Sequence, residues 1–476
     1  MPVKLAAILL ALGAPVVTSA QGPPDTLVYH LAVLPAQRRV SVEARLTVAS
    51  AGAVALALAP RVANAGTVVA GFAATDDRGA PLRVRRTGGG FLVEDARPGA
   101  IRFRYRLDFG DSVSGGSTSS GLDSSRLYAV ARSMFVAPDP VARRKTRQPY
   151  PVVRLAFILP SGWRLIANWD SVGRELRPRS GDDLLAGALA AAPDYRVYSG
   201  SVGPSTYGVA VRGRRAFTDS SLVDLIGESL RRGEQAFGPV PVPRVTYISD
   251  AGRKGRTSGS LQGTATIGLL WEPGEMLDRP RAHDTFHETL HLWFGGAIET
   301  ERWWTEGVTD YFAALLYSRW RNDPRDLAEL CYQSWRNYER IQHRTTMTMA
   351  EESREGPGGD NTILLVYRKG MLAGLLLDAA IRQNSDGRAG LEDAARQLLD
   401  SAARRPSPTA TERELRDAVV GIGGRAADRE WNRVVRRAEP ITLQEVTDAL
   451  RAVTGVDLPP PQRVLEPKVL SNSSNQ

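Results

Sequence analysis

The sequence lacks the features of a small cross-linked protein or of a membrane-spanning one. Cys331 is its only cysteine, so no internal disulfide can form and a cysteine-rich zinc module is excluded. After the first twenty residues, no apolar stretch reaches the length that a membrane-spanning helix requires. The net charge is +9, but the arginines are scattered rather than arranged in a basic stripe, which argues against a nucleic-acid-binding protein. The 476 residues suffice for two or three domains with large cores.

The first twenty residues have the parts of a secretory signal peptide. Lys4 supplies the positive charge, an apolar run follows, and Thr18, Ser19 and Ala20 form a small-residue cleavage site. We therefore expect residues 1–20 to be cleaved and the mature protein to be exported. Because the chain has a single cysteine, a bacterial periplasm or the extracellular medium fits better than an animal secretory route.

Histidine is also scarce, yet two of the five histidines lie four residues apart in the sequence His287-Glu288-Thr289-Leu290-His291. On an α-helix this spacing projects both rings from one face, about one turn apart. The pattern H-E-x-x-H is typical of a catalytic zinc site, in which the intervening glutamate is a general base and not a ligand. We expect His287 and His291 to bind Zn²⁺ and Glu288 to accept a proton from water.

A third metal ligand is available downstream in the segment WWTEGVTDYF. The spacing of its apolar residues predicts a second helix, with Glu306 and Asp310 one turn apart on another side. Two histidines and Glu306 would leave one tetrahedral position open for water, which is the catalytic arrangement. Asp310 is then placed to accept the second ring N–H of a ligand histidine, and we expect that histidine to be His287.

A purely structural histidine pair is the alternative, because the residues flanking the motif would also suit a buried helix. His283 extends the histidine row by a further turn, but it lies about 12 Å along the axis from His291, too far for one ion to be held by both. We interpret His283 as a neighbour of the site, either paired or solvated.

These residues carry a resemblance to the gluzincin metallopeptidases. HETLHLWFGG followed by WWTEGVTDYF resembles both the glycyl aminopeptidase family and the aminopeptidase N family, although the segment before Glu306 is four residues shorter than in the latter. The segment VYRKGMLAGLLLDAAIR is similar to the Tyr-x-Lys-Gly helix of both families. The resemblance implies that Tyr367 donates a hydrogen bond to the developing oxyanion.

Both families also place a Gly-x-x-Glu type motif on an edge strand before the zinc helix, and its glutamate binds the free amine of the substrate. Gly259 to Gly263 resembles that element, with Gln262 in the position of the glutamate. We therefore expect Gly259 and Gln262 to contact substrate, with the loss of the charge weakening selection for a free N-terminus. A simple turn at a strand end is the other interpretation of GSLQG.

The pattern along the chain predicts a multi-domain protein that is first β, then α/β and finally α. Short alternating strands predict an all-β domain over 21–205, sandwich-like or saddle-like, and the resemblance implies a thermolysin-like zinc catalytic domain over 206–325. Amphipathic segments predict a helical region over 326–458. The Pro- and Ser-rich composition of 459–476 predicts a disordered tail.

The expected function is that of an exported zinc metallopeptidase, an aminopeptidase acting on short peptides. Three alternatives remain open: an endopeptidase, a non-peptidase hydrolase on the same zinc site, and an inactive binding module. The sequence leaves the oligomeric state undetermined.

Overall fold

The fold is taken from a computed structural model of the 476-residue chain. It describes residues 25–48, 51–57, 67–109, 120–139, 143, 150–251, 257–261, 265–272, 274–341, 344–355, 359–405 and 408–461. The predicted signal peptide, Gln262 and most of the predicted C-terminal tail lie outside the described residues.

The N-terminal part is rich in β-strands, as the alternating pattern predicts. Its strands are β1 Thr26–Leu34, β2 Arg39–Val48, β3 Gly52–Ala57, β4 Thr67–Thr75, β5 Val84–Thr87, β6 Gly90–Ala96, β7 Gly99–Phe109, β8 Gly121–Leu122, β9 Leu127–Val130, β10 Val152–Ile158, β11 Arg164–Ala167, β12 Asp170–Val172, β13 Glu175–Arg177 and β14 Ala188–Ala192. A short helix, α1 Gly181–Ala186, precedes β14.

These strands form three sheets rather than one. A seven-stranded sheet has the order β12-β13-β10-β1-β2-β7-β4, a four-stranded sheet the order β11-β14-β9-β8, and a three-stranded sheet the order β3-β6-β5. Pairing in the seven-stranded sheet is antiparallel except between β1 and β10. The inward-facing apolar side chains form one core of their own.

A fourth sheet, with five strands, supports the candidate site. Its strands are β15 Arg196–Val202, β16 Ser205–Arg212, β17 Arg244–Ala251, β18 Thr257–Leu261 and β19 Thr266–Trp271, in the order β15-β16-β17-β19-β18. β16, β17 and β19 are parallel, while the edge strand β18 is antiparallel to β19. β15 lies before the predicted boundary at 205 but pairs within this sheet.

The rest of the chain is helical. Its elements are α2 Asp219–Phe237, α3 Arg279–Leu290, a π-helix Trp303–Val308, α4 Thr309–Arg321, α5 Pro324–Tyr338, α6 Met349–Glu355, α7 Gly359–Asn384, α8 Leu391–Ala402, α9 Glu412–Val434 and α10 Leu443–Thr454. One continuous core joins the five-stranded sheet to these helices, and the predicted boundary at 325 falls within it. The predicted order of β, α/β and helical regions is confirmed, whereas the domain boundaries stay a prediction.

Among the residues that the structure describes, none of the helices combines the length and the hydrophobicity that crossing a bilayer requires.

Candidate metal centre

Helix α3 carries the histidine pair at its C-terminal end. The side chain of Asp278 caps its N-terminus by accepting a hydrogen bond from the backbone N–H of Arg281, and Pro280 occupies the first turn. The last helical residue is Leu290, and His291 follows at the C-cap with helical backbone angles. Since the backbone N–H of His291 still donates to the carbonyl of His287, at 3.3 Å, the i, i+4 relation of the two rings is preserved.

The segment that carries Glu306 belongs to the predicted second helix, and its first part is a π-helix. The wider turn spans Trp303–Val308, and α4 continues directly from it with Asp310 in its first turn. Trp304, Val308 and Phe312 are all buried, as their spacing predicts. Single π-turns inside helices are frequently found at functional sites, because they redirect one side chain without ending the helix.

The structure brings His287, His291 and Glu306 together. The two Nε2 atoms of the histidines lie 3.0 Å apart, and each is 3.5 Å from Oε2 of Glu306. Zinc ligands lie about 2.0–2.2 Å from the ion, so ligands of one ion are at most about 4 Å apart. The three donor atoms meet this condition.

The donor set also fits a metal chemically. Oε2 of Glu306 is buried, and within the described part of the chain it has no hydrogen-bond partner. A buried carboxylate oxygen without a partner is costly unless something compensates its charge. A divalent cation held by these three residues would supply that compensation, and two imidazoles with one carboxylate are ligands that zinc accepts.

Each histidine is oriented by a partner on its other ring nitrogen. Nδ1 of His287 lies 2.9 Å from Oδ1 of Asp310, and Nδ1–H of His291 donates to the carbonyl of Phe294 at 3.0 Å. Both contacts favour the tautomer that leaves the lone pair of Nε2 free for a metal. The structure therefore places Asp310 beside His287, the histidine that the sequence analysis chose for it.

Asp310 is itself held from two sides by residues that the sequence analysis did not assign to it. Nε2–H of His283 donates to the backbone carbonyl of Asp310 at 3.0 Å, and a guanidinium nitrogen of Arg368 lies 3.8 Å from Oδ2. His283 is thus buried and paired rather than solvated. Only the tertiary structure relates Arg368, from a helix distant in sequence, to this carboxylate.

The charges of the centre shift one another's pKa values. Burial raises the pKa of the Glu306 carboxyl, but the two imidazoles more than offset this effect and hold it well below its ordinary value. For His287 the order is similar: burial lowers its pKa, but the charge and hydrogen bond of Asp310, together with Glu306 and Glu288, outweigh burial and raise it well above its ordinary value. A metal must therefore displace a proton from His287, and binding weakens as the pH falls.

The two catalytic candidates border the same space. Glu288 is half-buried on α3, next to His287. The ring of Tyr367, on α7, lies with its centroid 6.0 Å from that of His287. Burial is the largest influence on the pKa of Tyr367 and raises it, and the charges of Glu306 and Glu288 act in the same direction. The phenol therefore stays protonated and can donate a hydrogen bond.

Tyr367 reaches the centre because two glycines allow the π-helix and α7 to touch backbone to backbone. A Cβ on Gly307 would lie 2.5 Å from the Cα of Gly370, and one on Gly370 would lie 2.8 Å from the Cα of Gly307. Any larger side chain would separate the helices that carry Glu306 and Tyr367. Each glycine follows its functional residue closely in the sequence, which is the signal that could have revealed the crossing.

Part of the predicted amine-binding element lies among the described residues. Gly259 lies in the edge strand β18, where it pairs with Gly268 of β19, and β18 lies against α3. Gln262 falls outside the described residues, so its predicted substrate contact stays a prediction.

Comparisons with known proteins concern the fold of the chain. No protein-family model matches the chain, and none of the curated proteins is similar to it. Among solved structures, an aminopeptidase N family protein from Idiomarina loihiensis is similar with a TM-score of 0.73 at 16% identity, covering 88% of this chain and 78% of that one. An M1 zinc metallopeptidase from Deinococcus radiodurans is similar with a TM-score of 0.56 at 16% identity, covering 88% of this chain and 95% of its own.

A mutant of the Deinococcus enzyme bound to the substrate Tyr-Ser-Ala is also similar, with a TM-score of 0.54 at 16% identity, covering 88% of this chain and 95% of that one. At such identities the likeness concerns the fold. The resemblance predicted from the motifs is confirmed at that level, and the chain has the fold of aminopeptidase N family proteins and M1 zinc metallopeptidases.

Proposed function

We propose that the protein is an exported zinc metallopeptidase with a thermolysin-like catalytic unit that hydrolyses peptide bonds, and that it acts as an aminopeptidase on short peptides. The convergence of His287, His291 and Glu306 around one buried carboxylate oxygen that has no hydrogen-bond partner among the described residues is the observation that carries this proposal. The fold shared with zinc metallopeptidases supports it.

In this proposal His287, His291 and Glu306 hold the metal. When bound, Zn²⁺ would polarise the scissile carbonyl and lower the pKa of water. Glu288 takes a proton from the attacking water and later returns it to the leaving amine. The hydroxyl of Tyr367 donates a hydrogen bond to the carbonyl oxygen as negative charge develops there. Asp310 keeps His287 in the metal-binding tautomer.

The substitution Glu288→Gln tests the role of the base. It should retain bound zinc but lower kcat by about 10²–10⁴-fold, the usual contribution of a positioned acid–base group. The measurement pairs zinc content after dialysis with hydrolysis of a peptide library, with and without a chelator. Activity that survives in the variant would remove Glu288 from the mechanism.

An endopeptidase is the second candidate, because this chain has Gln262 where the resembled motif has a glutamate. An amide binds the ammonium group of a free N-terminus less strongly than a carboxylate does. Peptides with free and with N-acetylated termini separate the two functions. An aminopeptidase cuts only the free peptides, whereas an endopeptidase cuts both at similar rates. If neither is cut and zinc is still bound, a binding module or a hydrolase of another substrate class is favoured.

A further inference from the structure

The seven-stranded sheet has one buried face and one open face. Along β1 and β2, and from Ile101 onwards in β7, every second side chain packs into the N-terminal core, and the side chains between them are half-buried or exposed. Residues directly opposite each other in neighbouring strands share a face, so the register of the strands identifies the residues on each side. We call the open side, which carries Arg45 and Arg102, the outer face.

Five arginines from two neighbouring strands come together on the outer face. β2 contributes Arg39 and Arg45, and β7 contributes Arg102, Arg104 and Arg106. The same two strands place two carboxylates on this face. The arginines are separated along the sequence, and only the pairing of β2 with β7 gathers them into one positively charged area.

The two carboxylates serve three of the five arginines. Oδ1 of Asp108 lies 2.8 Å from Nε of Arg39, and its Oδ2 lies 3.1 Å from Nε of Arg106. Glu43 of β2 lies directly opposite Arg104 of β7. No carboxylate lies directly opposite either of the two remaining arginines of these strands.

Arg45 and Arg102 are instead placed directly opposite each other. Their neighbours on the other side are Val28 of β1 and Thr75 of β4, and within the described part of the chain neither arginine forms an ion pair. Like charges directly opposite each other destabilise a sheet. An anion that bridges the two guanidinium groups would remove this cost, and phosphate groups suit guanidinium particularly well.

Large aliphatic side chains share the outer face with these arginines. Val68 of β4 lies opposite Asp108, and Val152 and Ile158 of β10 lie in register with outer-face residues of β1. Val68, Val152 and Ile158 are 64%, 43% and 66% exposed, and Val172 of β12, on the same face, is 49% exposed. They are four of the nine exposed large hydrophobic residues in the described part of the chain, so this face carries a concentration of them.

The combination of charge and exposed aliphatic groups favours one kind of partner. A nucleic acid or another soluble polyanion would use the guanidinium groups and leave the aliphatic side chains in water. The surface of a bilayer with anionic lipids uses both, because phosphates bind the arginines while aliphatic groups enter the boundary between headgroups and acyl chains. The apolar stems of the arginines can lie in the same boundary region.

We propose that the outer face of the seven-stranded sheet binds the surface of a membrane rich in anionic lipids. Arg45 and Arg102 contact lipid phosphates, and Val68 and Ile158 enter the headgroup region. The binding is peripheral and weakens as the salt concentration rises, because the charges that carry it are exposed. This role goes beyond the proposed peptidase function and does not depend on it.

The test is co-sedimentation of the full chain with vesicles of phosphatidylcholine that contain one third phosphatidylglycerol, and with vesicles of phosphatidylcholine alone. The protein should bind the former and not the latter. One arginine at an anionic surface accounts for about fivefold in affinity, so Arg45→Gln combined with Arg102→Gln should weaken binding by about 20- to 30-fold. Ile158→Thr, which keeps a β-branched residue at an exposed strand end, should weaken it by about three- to tenfold.

A matched pair of substitutions controls for net charge. Arg325→Gln combined with Arg388→Gln removes the same charge from side chains of the helical region that are 75% and 80% exposed, and should bind vesicles as the wild type does. Thermal unfolding controls for folding. The Arg45→Gln, Arg102→Gln variant should be at least as stable as the wild type, because it removes a like-charge contact.

The outcomes decide between the membrane, another ligand and no ligand. Equal binding to both kinds of vesicle, no binding to either, or an equal loss in the control pair would overturn the proposal. Tighter binding to a DNA duplex than to the anionic vesicles, unaffected by Ile158→Thr, would overturn it in favour of a nucleic acid. Glu306→Ala should bind vesicles as the wild type does, which keeps this result separate from any failure of the proposed peptidase.

Discussion

Strand β2 buries only apolar side chains, whereas helix α3 also buries several polar and charged ones. Along β2 every second residue is buried, and all five buried side chains are apolar, from Val40 to Val48. On α3 the buried set includes Arg281, Thr285 and Thr289, besides His283 and His287. Burying polar groups costs free energy unless each finds a partner, so the polar groups of α3 need partners that the side chains of β2 do not.

The contrast teaches where to look for function in this molecule. In the N-terminal sheets the sequence pattern and the burial agree, and nothing beyond packing is needed to explain the buried faces of the strands. Around α3 the pattern and the burial disagree: the two threonines donate to carbonyls of the helix itself, whereas His287 needs Asp310 and the proposed metal. Substitutions in the two regions should therefore affect different quantities.

Glu306→Ala should have the largest effect, because it removes a metal ligand and the charge that offsets the two imidazoles. We expect loss of zinc on dialysis and loss of all metal-dependent hydrolysis. Asp310→Asn, which removes the negative charge that His287 and Arg368 face, should weaken zinc affinity by about 10–100-fold. Zinc per chain at graded free zinc concentrations measures both, and full zinc retention by the alanine variant would contradict the proposed ligand set.

Tyr367→Phe should come next, since it removes one hydrogen-bond donor and leaves the ring in place. We expect kcat to fall by about 10²–10³-fold, as for other oxyanion donors, with KM and zinc content unchanged. Steady-state kinetics on a single peptide measures this effect. A change confined to KM would assign Tyr367 to substrate binding instead.

Gly370→Ala sharpens the comparison when it is paired with Leu46→Ala, a fully buried position of β2. Gly370→Ala must push α7 away from the π-helix, which should lower the free energy of unfolding by about 1–3 kcal/mol. Because this also displaces Tyr367, kcat/KM should fall by about 10- to 100-fold. Leu46→Ala should cost more stability, about 2–5 kcal/mol, without changing kcat/KM. Parallel denaturation and kinetics check the pair, and the same loss of activity in both would abolish the distinction between the regions.

Lys369→Met should have the smallest effect, and it should be stabilising. Lys369 is completely buried, its Nζ lies 3.4 Å from the carbonyl of Arg437, and burial lowers its pKa from 10.5 to about 8. Because the unfolded lysine binds its proton more tightly, the wild type loses stability below its folded-state pKa and regains it as the pH rises from about 8 to 10.5.

The methionine variant should therefore gain about 1–3 kcal/mol at neutral pH, and its advantage should shrink towards pH 10.5. Melting temperatures of both proteins across this pH range measure the difference. A constant difference over the whole range would show that packing, and not ionisation, separates the two variants.

Several of these residues could be chosen from the sequence because their chemistry depends on local spacing. His287 and His291 need only a helix to share a face, and Glu306 and Asp310 are only four residues apart. The π-helix at Trp303–Val308 could not be predicted, because a one-residue widening of the turn leaves no periodicity of its own in so short a segment. Likewise, β15 belongs to the five-stranded sheet only through its pairing with β16.

The sequence by itself determined the composition of the centre: two imidazoles one turn apart, a carboxylate between them, and a second carboxylate and a phenol in recognisable segments. The tertiary structure alone decided how these segments meet, through the contact between Gly307 and Gly370 and the approach of Arg368 to Asp310. Local spacing follows from backbone geometry over one or two turns. Contacts between distant segments depend on the packing of the whole core, which no short pattern encodes.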